Sequence, residues 1–305
     1  MTDVTPIPPG PSRPVVRAVH IPVLLKETLA ALDLRPGMTV VDGTVGAGGH
    51  SRKIIELIRP GGTLIGLDRD PMMLRMAAEN IGEAPDVILK QSSYAELDAV
   101  LEELALPAVD RVLVDLGLSS DQLVDRERGF GFKAGGPLDL RFDVRQGRPA
   151  SELLRTADVQ QLTDIFRDYG EEKNAHRIAH AIVQQRAANP ISTSEQLASL
   201  VEQISPGRGG THPATRVFQA LRIAVNEELE QLQRLLDDVA PRRICAGGRL
   251  VVISFHSLED RSVKEAFREK ERWEPLTKKP VTATPTEERL NPRSRSAKLR
   301  SAVLR

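Results

Sequence analysis

One stretch leaves this chain few ways to fold. Residues 39–68, TVVDGTVGAGGHSRKIIELIRPGGTLIGLD, join two short β-branched runs through a glycine-dense turn and an amphipathic helix. Ile54, Ile55 and Ile58 share one helical face, and Pro60-Gly61-Gly62 ends that helix. Two strands linked by a crossover helix must run parallel, and a parallel sheet needs helices on both faces. The stretch therefore predicts an α/β fold with a doubly wound, Rossmann-like sheet.

Further runs continue the alternation: DVILK (86–90), RVLVDLG (111–117) and GGRLVVISFHS (247–257). KPVTAT (279–284) and SAKLRSAVLR (296–305) add two more as a terminal hairpin. The count is seven candidate strands, with one reversed edge strand. Between the fourth and fifth, residues 121–150 read as a long structured loop, rich in charge, glycine and proline. Helical patterns follow. Val159, Leu162, Phe166 and Tyr169 make one stripe, and Ala175, Ile178, Ala179 and Ile182 a second. Leu197, Leu200, Val201 and Ile204 make a third, opened by a capping box at Thr193 and Gln196. A single long helix is expected over 216–239, with Phe218, Leu221, Val225, Leu229, Leu232 and Leu236 on one side.

The organisation expected from this is a core of residues 20–124 and 216–305 interrupted by an inserted all-helical domain, 125–215. Residues 1–19 carry Pro6, Pro8, Pro9, Pro11 and Pro14 and read as a disordered tail.

Charge sums to zero, 42 basic against 42 acidic residues, so any nucleic-acid surface must come from local clustering. Residues 289–305 show such clustering: Arg289, Arg293, Arg295, Lys298, Arg300 and Arg305, with no acid among them. Cys245 is the one cysteine, which excludes an internal disulfide and a cysteine-built zinc site; it reads as a buried apolar thiol. His176 and His180 stand four apart but lack the intervening glutamate and a third ligand, so no metal site is expected. No apolar run reaches the length of a membrane span and no signal-peptide layout opens the chain, so the expected location is the cytoplasm.

The glycine turn narrows the ligand. A phosphate loop needs a lysine after the glycines, and His50-Ser51 stand there instead, which argues against a kinase or ATPase. The dinucleotide fingerprint fails only at its last position, where Ser51 replaces glycine or alanine, so a nicotinamide cofactor stays open. S-adenosylmethionine carries no phosphate. It suits an acid ending the first strand, a compact glycine turn and an acid ending the second strand: Asp42, Gly46-Ala47-Gly48-Gly49 and Asp68, with Asp70 as the rival to Asp68. The terminal strand pair favours this methyl donor, because a seven-stranded sheet with a reversed strand is the methyltransferase arrangement.

Several polar segments are too particular for core packing: DLGLSSDQL (115–123), RGFGFKAGGPLDLRFD (128–143), HPATRVFQALRIAVNEEL (212–229), ISFHSLEDRSVK (253–264) and NPRSRS (291–296). With DGTVGAGGHS and LDRD, in this order, they resemble the ribosomal small-subunit RNA methyltransferase H family from about residue 18 to the carboxyl end. The resemblance implies a seven-stranded S-adenosylmethionine-dependent methyltransferase sheet with a helical insertion that helps hold RNA. It implies methylation of the N4 amine of a cytidine in the decoding region of 16S rRNA, within the small ribosomal subunit. It places cofactor contacts on Gly48, Gly49, His50, Asp68, Tyr94, Asp115 and Gln122. Tyr94 is the looser match, since the family often has phenylalanine there. The Asp/Asn-Pro-Pro-aromatic motif of many amine methyltransferases is replaced by Asp115-Leu116-Gly117-Leu118, a difference the family shares.

The cytosine amine is conjugated into its ring, so attack needs an acceptor that draws it out of plane and takes its proton. Asp115 is one candidate. Asp139 is favoured over it, because a glycine-proline loop could fold it over the site, against the alternative of a surface aspartate paired with Arg141 or Arg145. His256 and Ser257, ending the fifth strand, are candidates for lining the base pocket; a structural histidine is the competing reading for His256. Arg293 and Arg295 are the expected RNA backbone contacts. The target cytidine is expected to flip out of its stack.

Overall fold

The computed structural model describes residues 22–132, 136–206 and 212–305; the expected tail, 1–19, lies outside them. Among these residues eight strands form one sheet: β1 Thr39–Asp42, β2 Thr63–Asp68, β3 Val87–Gln91, β4 Val109–Asp115, β5 Ile244–Ser254, β6 Trp273–Pro275, β7 Val281–Thr282 and β8 Lys298–Leu304. Their order is β3-β2-β1-β4-β5-β8-β6, with β7 also paired to β8. The first five are mutually parallel; β8 runs antiparallel to β5, β6 and β7.

Alternation along the strands builds two cores. Val41, Ile65, Val112, Val114, Leu250 and Val252 face Leu101, Leu232, Leu236 and Trp273. Their neighbours Val40, Leu64, Leu113, Val251 and Ile253 face Val23, Leu24, Ile54, Ile55 and Ile58 on the other side. Each strand thus buries both sides, which is why the runs are continuously apolar. The Ile54, Ile55 and Ile58 stripe belongs to the helix Gly49–Ile58, as expected.

The helices between β4 and β5 gather a third core of their own. Leu154, Leu162, Phe166, Ile178, Ile182, Leu197 and Val201 pack with Phe130, Leu138 and Leu140 and with Val217, Phe218 and Leu221. The Thr193–Gln196 capping box is present at the start of the helix Ser194–Ile204. The helix Thr215–Asn226 also contributes to this cluster, and its continuation Glu228–Arg234 lies against the sheet.

Four expectations are corrected. The reversed strand is not at the edge: β8 lies between β5 and β6, because Leu299 and Ala302 are buried in opposite cores. The eighth strand, β6, is three residues long, too short for a periodic signal; Trp273 anchors it against Phe267, ring centroids 5.4 Å apart. The single helix over 216–239 is broken at Glu227, whose φ of 53° is left-handed. The break lets the side chain of Asn226 turn into the protein, where its Nδ2 donates to the carbonyls of Leu140 and Arg222 and its Oδ1 accepts from the Phe142 amide. Cys245 is exposed, because β5 begins at Ile244, ahead of its buried stretch.

Candidate functional site

The glycine turn sits at the carboxyl ends of β1, β2 and β4, where the strand order reverses and a crevice opens. Its shape is set by backbone bonds: the amide of Gly43 donates to Leu113, that of Val45 to Leu67 and that of Gly48 to Val45. Gly48 has φ 85°, and a Cβ there would lie 2.9 Å from Ile81 Cγ1. A Cβ on Gly49 would lie 2.6 Å from Pro22 Cγ, so both positions require glycine for close packing as well. Asp42 holds the turn from beneath: its carboxylate accepts from Ser51 Oγ at 2.7 Å and from the Thr44 amide at 3.3 Å. Burial raises this carboxyl to about 6 against those bonds. Asp42 does not line the cleft; its role is to hold the turn.

Asp68 does line it. Its Oδ2 accepts from the Gly46 amide at 3.0 Å and its Oδ1 from the Asp70 amide at 2.9 Å. Burial, opposed by those two bonds, pushes the carboxyl up to about 7. The rival, Asp70, is fully buried and fully engaged. It caps the helix Pro71–Ile81 through the Met72 amide, accepts from Gln122 Nε2 at 2.8 Å and lies 3.2 Å from Arg128 Nη2. Gln122 is held at its other end too, its Oε1 accepting from the Ser119 amide.

Asp115 ends β4 at the centre of the cleft. Its amide donates to Thr44 Oγ1, its Oδ2 stands 3.7 Å from His50 Nδ1, and its Oδ1 is buried with no hydrogen-bond partner among the described residues. Burial pushes its carboxyl up to about 7, Arg293 opposing and Asp42 and Glu259 adding to the rise. Tyr94 is buried at the start of a 3-10 turn after β3, and burial raises its hydroxyl well above the usual range.

Together Gly49, His50, Asp68, Tyr94, Asp115, Gln122 and Arg293 line one open cleft of about 1010 Å³. Gly48 supports the turn behind it. The cleft offers the close-packed glycine turn, the carboxylates of Asp68, Asp115 and Glu228 and the rings of Tyr94 and Phe142, groups that suit an uncharged ribose and base beside a cationic centre. Arg293, expected to contact RNA, is half-buried at the edge of this cleft, Nη1 donating to Ser120 Oγ.

The remaining expected residues lie elsewhere. Asp139 forms a bidentate pair with Arg141, 2.8 and 2.7 Å, and does not line the cleft. The paired-aspartate alternative is the arrangement observed. His256 caps the helix Ser257–Ala266: its Nδ1 accepts from the Glu259 amide and its Nε2 lies 3.0 Å from Glu259 Oε1. It also lines a second cavity beside the first. Ser257 is exposed and donates to Glu171 of the helical block at 2.6 Å. Arg295 is exposed. The basic cluster is partly neutralised by acids distant in sequence: Asp260 pairs Lys298 and Arg300, and Glu274 lies 3.6 Å from Arg305.

Two important residues, Arg128 and Asn226, lie in segments the sequence marks out, but neither was assigned a role of its own. Arg128, inside RGFGFK, is buried and donates to the carbonyls of Arg141 and Phe142. With Asn226 it fastens the segment carrying Phe142, which forms a cleft wall. Their role depends on carbonyls presented by a folded loop, which no spacing rule reveals.

The model described as the MraW methylase family matches residues 17–304. A protein of Sorangium cellulosum named ribosomal RNA small subunit methyltransferase H is 48% identical over 97% of this chain and 94% of its own length. One of the same name from Cyanothece sp. is 49% identical over 93% of this chain and 94% of its own.

Proposed function

The chain belongs to the MraW methylase family, and from that premise we propose that it methylates the N4 amine of a cytidine in the decoding region of 16S rRNA, using S-adenosylmethionine. The observation that carries this reading is Asp115, a half-buried carboxylate whose buried Oδ1 has no hydrogen-bond partner among the described residues, in a cleft built from a glycine turn without a phosphate-binding lysine.

In this reading Asp68 accepts the two ribose hydroxyls, Tyr94 packs on the adenine, and the turn of Gly48, Gly49 and His50 with Gln122 encloses the remainder. When bound, the donor supplies an electrophilic methyl on sulfur, whose C–S bond breaks as the N4–C bond forms. Asp115 accepts a hydrogen bond from the amine, which restores lone-pair density to nitrogen, and then takes the amine proton. A carboxyl raised to about 7 is suited to that exchange at neutral pH. Asp139, tied to Arg141, is left with a positioning role in its loop.

The helical block, residues 125–215, and the exposed Arg295 are proposed to hold the RNA, with the small ribosomal subunit as substrate in the cytoplasm. No helix among the described residues is long and apolar enough to cross a membrane. Mass mapping of 16S rRNA from cells lacking the protein tests the reading. Loss of one methyl at a decoding-region cytidine N4, restored by the purified protein and S-adenosylmethionine, is the expected result; an unchanged modification pattern rejects it.

A further inference from the structure

The helix Ser257–Ala266 follows the carboxyl end of β5 and buries one face against the sheet through Val263 and Ala266, with Phe267 just beyond its end. Its outer face is basic. Arg261 and Lys264 are exposed there, and so is Arg268 in the turn that follows. At about 100° per residue, Ser257, Arg261 and Lys264 fall within about 60° of one another, and Arg268 continues the line past the helix end. The stripe begins beside the candidate cleft: His256, which caps the helix, lines a cavity that shares Gly117, Leu118 and Arg293 with that cleft.

The acids around this face leave its charge in excess. Asp260 is shared by Lys298 and Arg300, at 3.1 and 2.7 Å, and Glu269 lies 3.3 Å from Arg272. Glu171 of the helical block accepts from Ser257 and stands 3.9 Å from Arg261. Glu265 is exposed on the flank of the stripe. Lys264 and Arg268 have no ion pair among the described residues. A cation in the last turn offsets the helix dipole, which accounts for Lys264 alone and not for a line of three.

We propose that Arg261, Lys264 and Arg268 form a docking track for the phosphate backbone of the RNA strand that leads into the cleft. The proposal rests on the methylation reading and deepens it, naming a surface outside the cleft that carries the substrate. Charge complementarity identifies the occupant. A nucleic-acid backbone is a regular line of negative charge, and cations three and four residues apart on one helical face present a matching line, about 4.5 and 6 Å apart along the axis. The chain as a whole is neutral, so this local excess does not follow from composition. Contacts of this kind fix position and orientation without reading bases, which leaves the choice of nucleotide to the cleft.

The test measures affinity for unmethylated small ribosomal subunits, and for protein-free 16S rRNA, across a range of salt concentration. The double variant Lys264→Gln with Arg268→Gln is compared with the wild type, with the charge-keeping pair Lys264→Arg and Arg268→Lys, and with Arg35→Gln and Arg59→Gln, exposed cations before β1 and β2 at the opposite end of the sheet. Loss of two phosphate contacts is expected to flatten the slope of log affinity against log salt by about 1.4 to 1.8 and to weaken binding by about 25- to 60-fold at about 0.1 M salt. The charge-keeping and distant variants should match the wild type. S-adenosylhomocysteine binding by calorimetry is expected to be unchanged in all of them, which also shows that they are folded. A purely structural role for Lys264 and Arg268 leaves the salt slope unmoved, and that result overturns the track. An equal loss in the distant pair overturns it too. A loss seen with subunits and not with protein-free rRNA assigns the stripe to an acidic ribosomal protein and rejects RNA. If the wild type shows the stripe-dependent slope yet transfers no methyl to small-subunit RNA, the track is supported and the methylation reading falls.

Discussion

His50 Nδ1 stands 3.7 Å from Asp115 Oδ2, while His50 Nε2 is 3.0 Å from the carbonyl of Val23. A carbonyl only accepts, so Nε2 carries the hydrogen, and in the neutral ring Nδ1 is the lone-pair side facing Asp115. The Asp115 carboxyl therefore faces a ring nitrogen whose lone pair is directed at it, at a separation longer than a hydrogen bond.

From this arrangement the rate of methyl transfer at saturating cofactor is expected to rise with pH through about 7, as Asp115 loses its proton. Asp115→Asn is expected to slow transfer by about 100- to 10,000-fold and to remove that limb. Asp139→Ala, by contrast, should cost no more than a few-fold. Single-turnover rates across pH check both, and an Asp115→Asn enzyme with a normal saturated rate would exclude Asp115 as proton acceptor.

Stability should carry the same signature. The carboxyls of Asp68 and Asp115 are raised from 3.8 to about 7, chiefly by burial. Each binds its proton more tightly folded than unfolded, so the contribution is present below about pH 4 and is lost as pH rises toward 7. Urea midpoints of the ligand-free protein are expected to fall between about pH 4 and about pH 7, less steeply in Asp68→Asn than in the wild type. Equal slopes would count against the raised carboxyl.

Asp68 also separates nucleoside binding from catalysis. Replacing it with alanine removes the proposed acceptor of two ribose hydroxyls and releases the Gly46 amide it holds at 3.0 Å. Bonds to a charged acceptor contribute about 1.5–3 kcal/mol each, so S-adenosylhomocysteine affinity should drop by well over about tenfold. Titration calorimetry reads this directly, and NAD in the same cell should give no heat.

Arg128 offers the sharpest stability test. It is buried, lies 3.2 Å from Asp70, and donates to the carbonyls of Arg141 and Phe142. Arg128→Met leaves a buried carboxylate and two carbonyls short of donors, a loss of about 3–5 kcal/mol. Arg155→Met, at an exposed helix pair with Glu152, should leave the denaturation midpoint close to that of the wild type, because solvent screens the pair. Denaturant melts of the two variants give the comparison.

Much of the lining of the candidate cleft was legible because its parts are local. A glycine turn after one strand, and an acid at the end of the next, are set by neighbours in sequence and by the period of the strands, so Gly48, Gly49, His50 and Asp68 could be named from their spacing and family resemblance. Asp139 and the basic tail were less legible for the opposite reason. Whether a charge is free depends on what the fold brings to it: Arg141 two residues away takes Asp139, and Asp260 takes Lys298 and Arg300 from across the sheet.

By itself the sequence determined a parallel, doubly wound sheet, a helical interruption after the fourth strand and a phosphate-free glycine turn, because each follows from local periodicity and backbone freedom. Only the tertiary structure decided that the reversed strand is interior, that the helix breaks at Glu227 so that Asn226 and Arg128 fasten the Phe142 wall, and that Asp115 keeps an unpartnered oxygen. Those outcomes depend on burial and on partners tens of residues apart, and such contacts exist only once the chain has closed on itself.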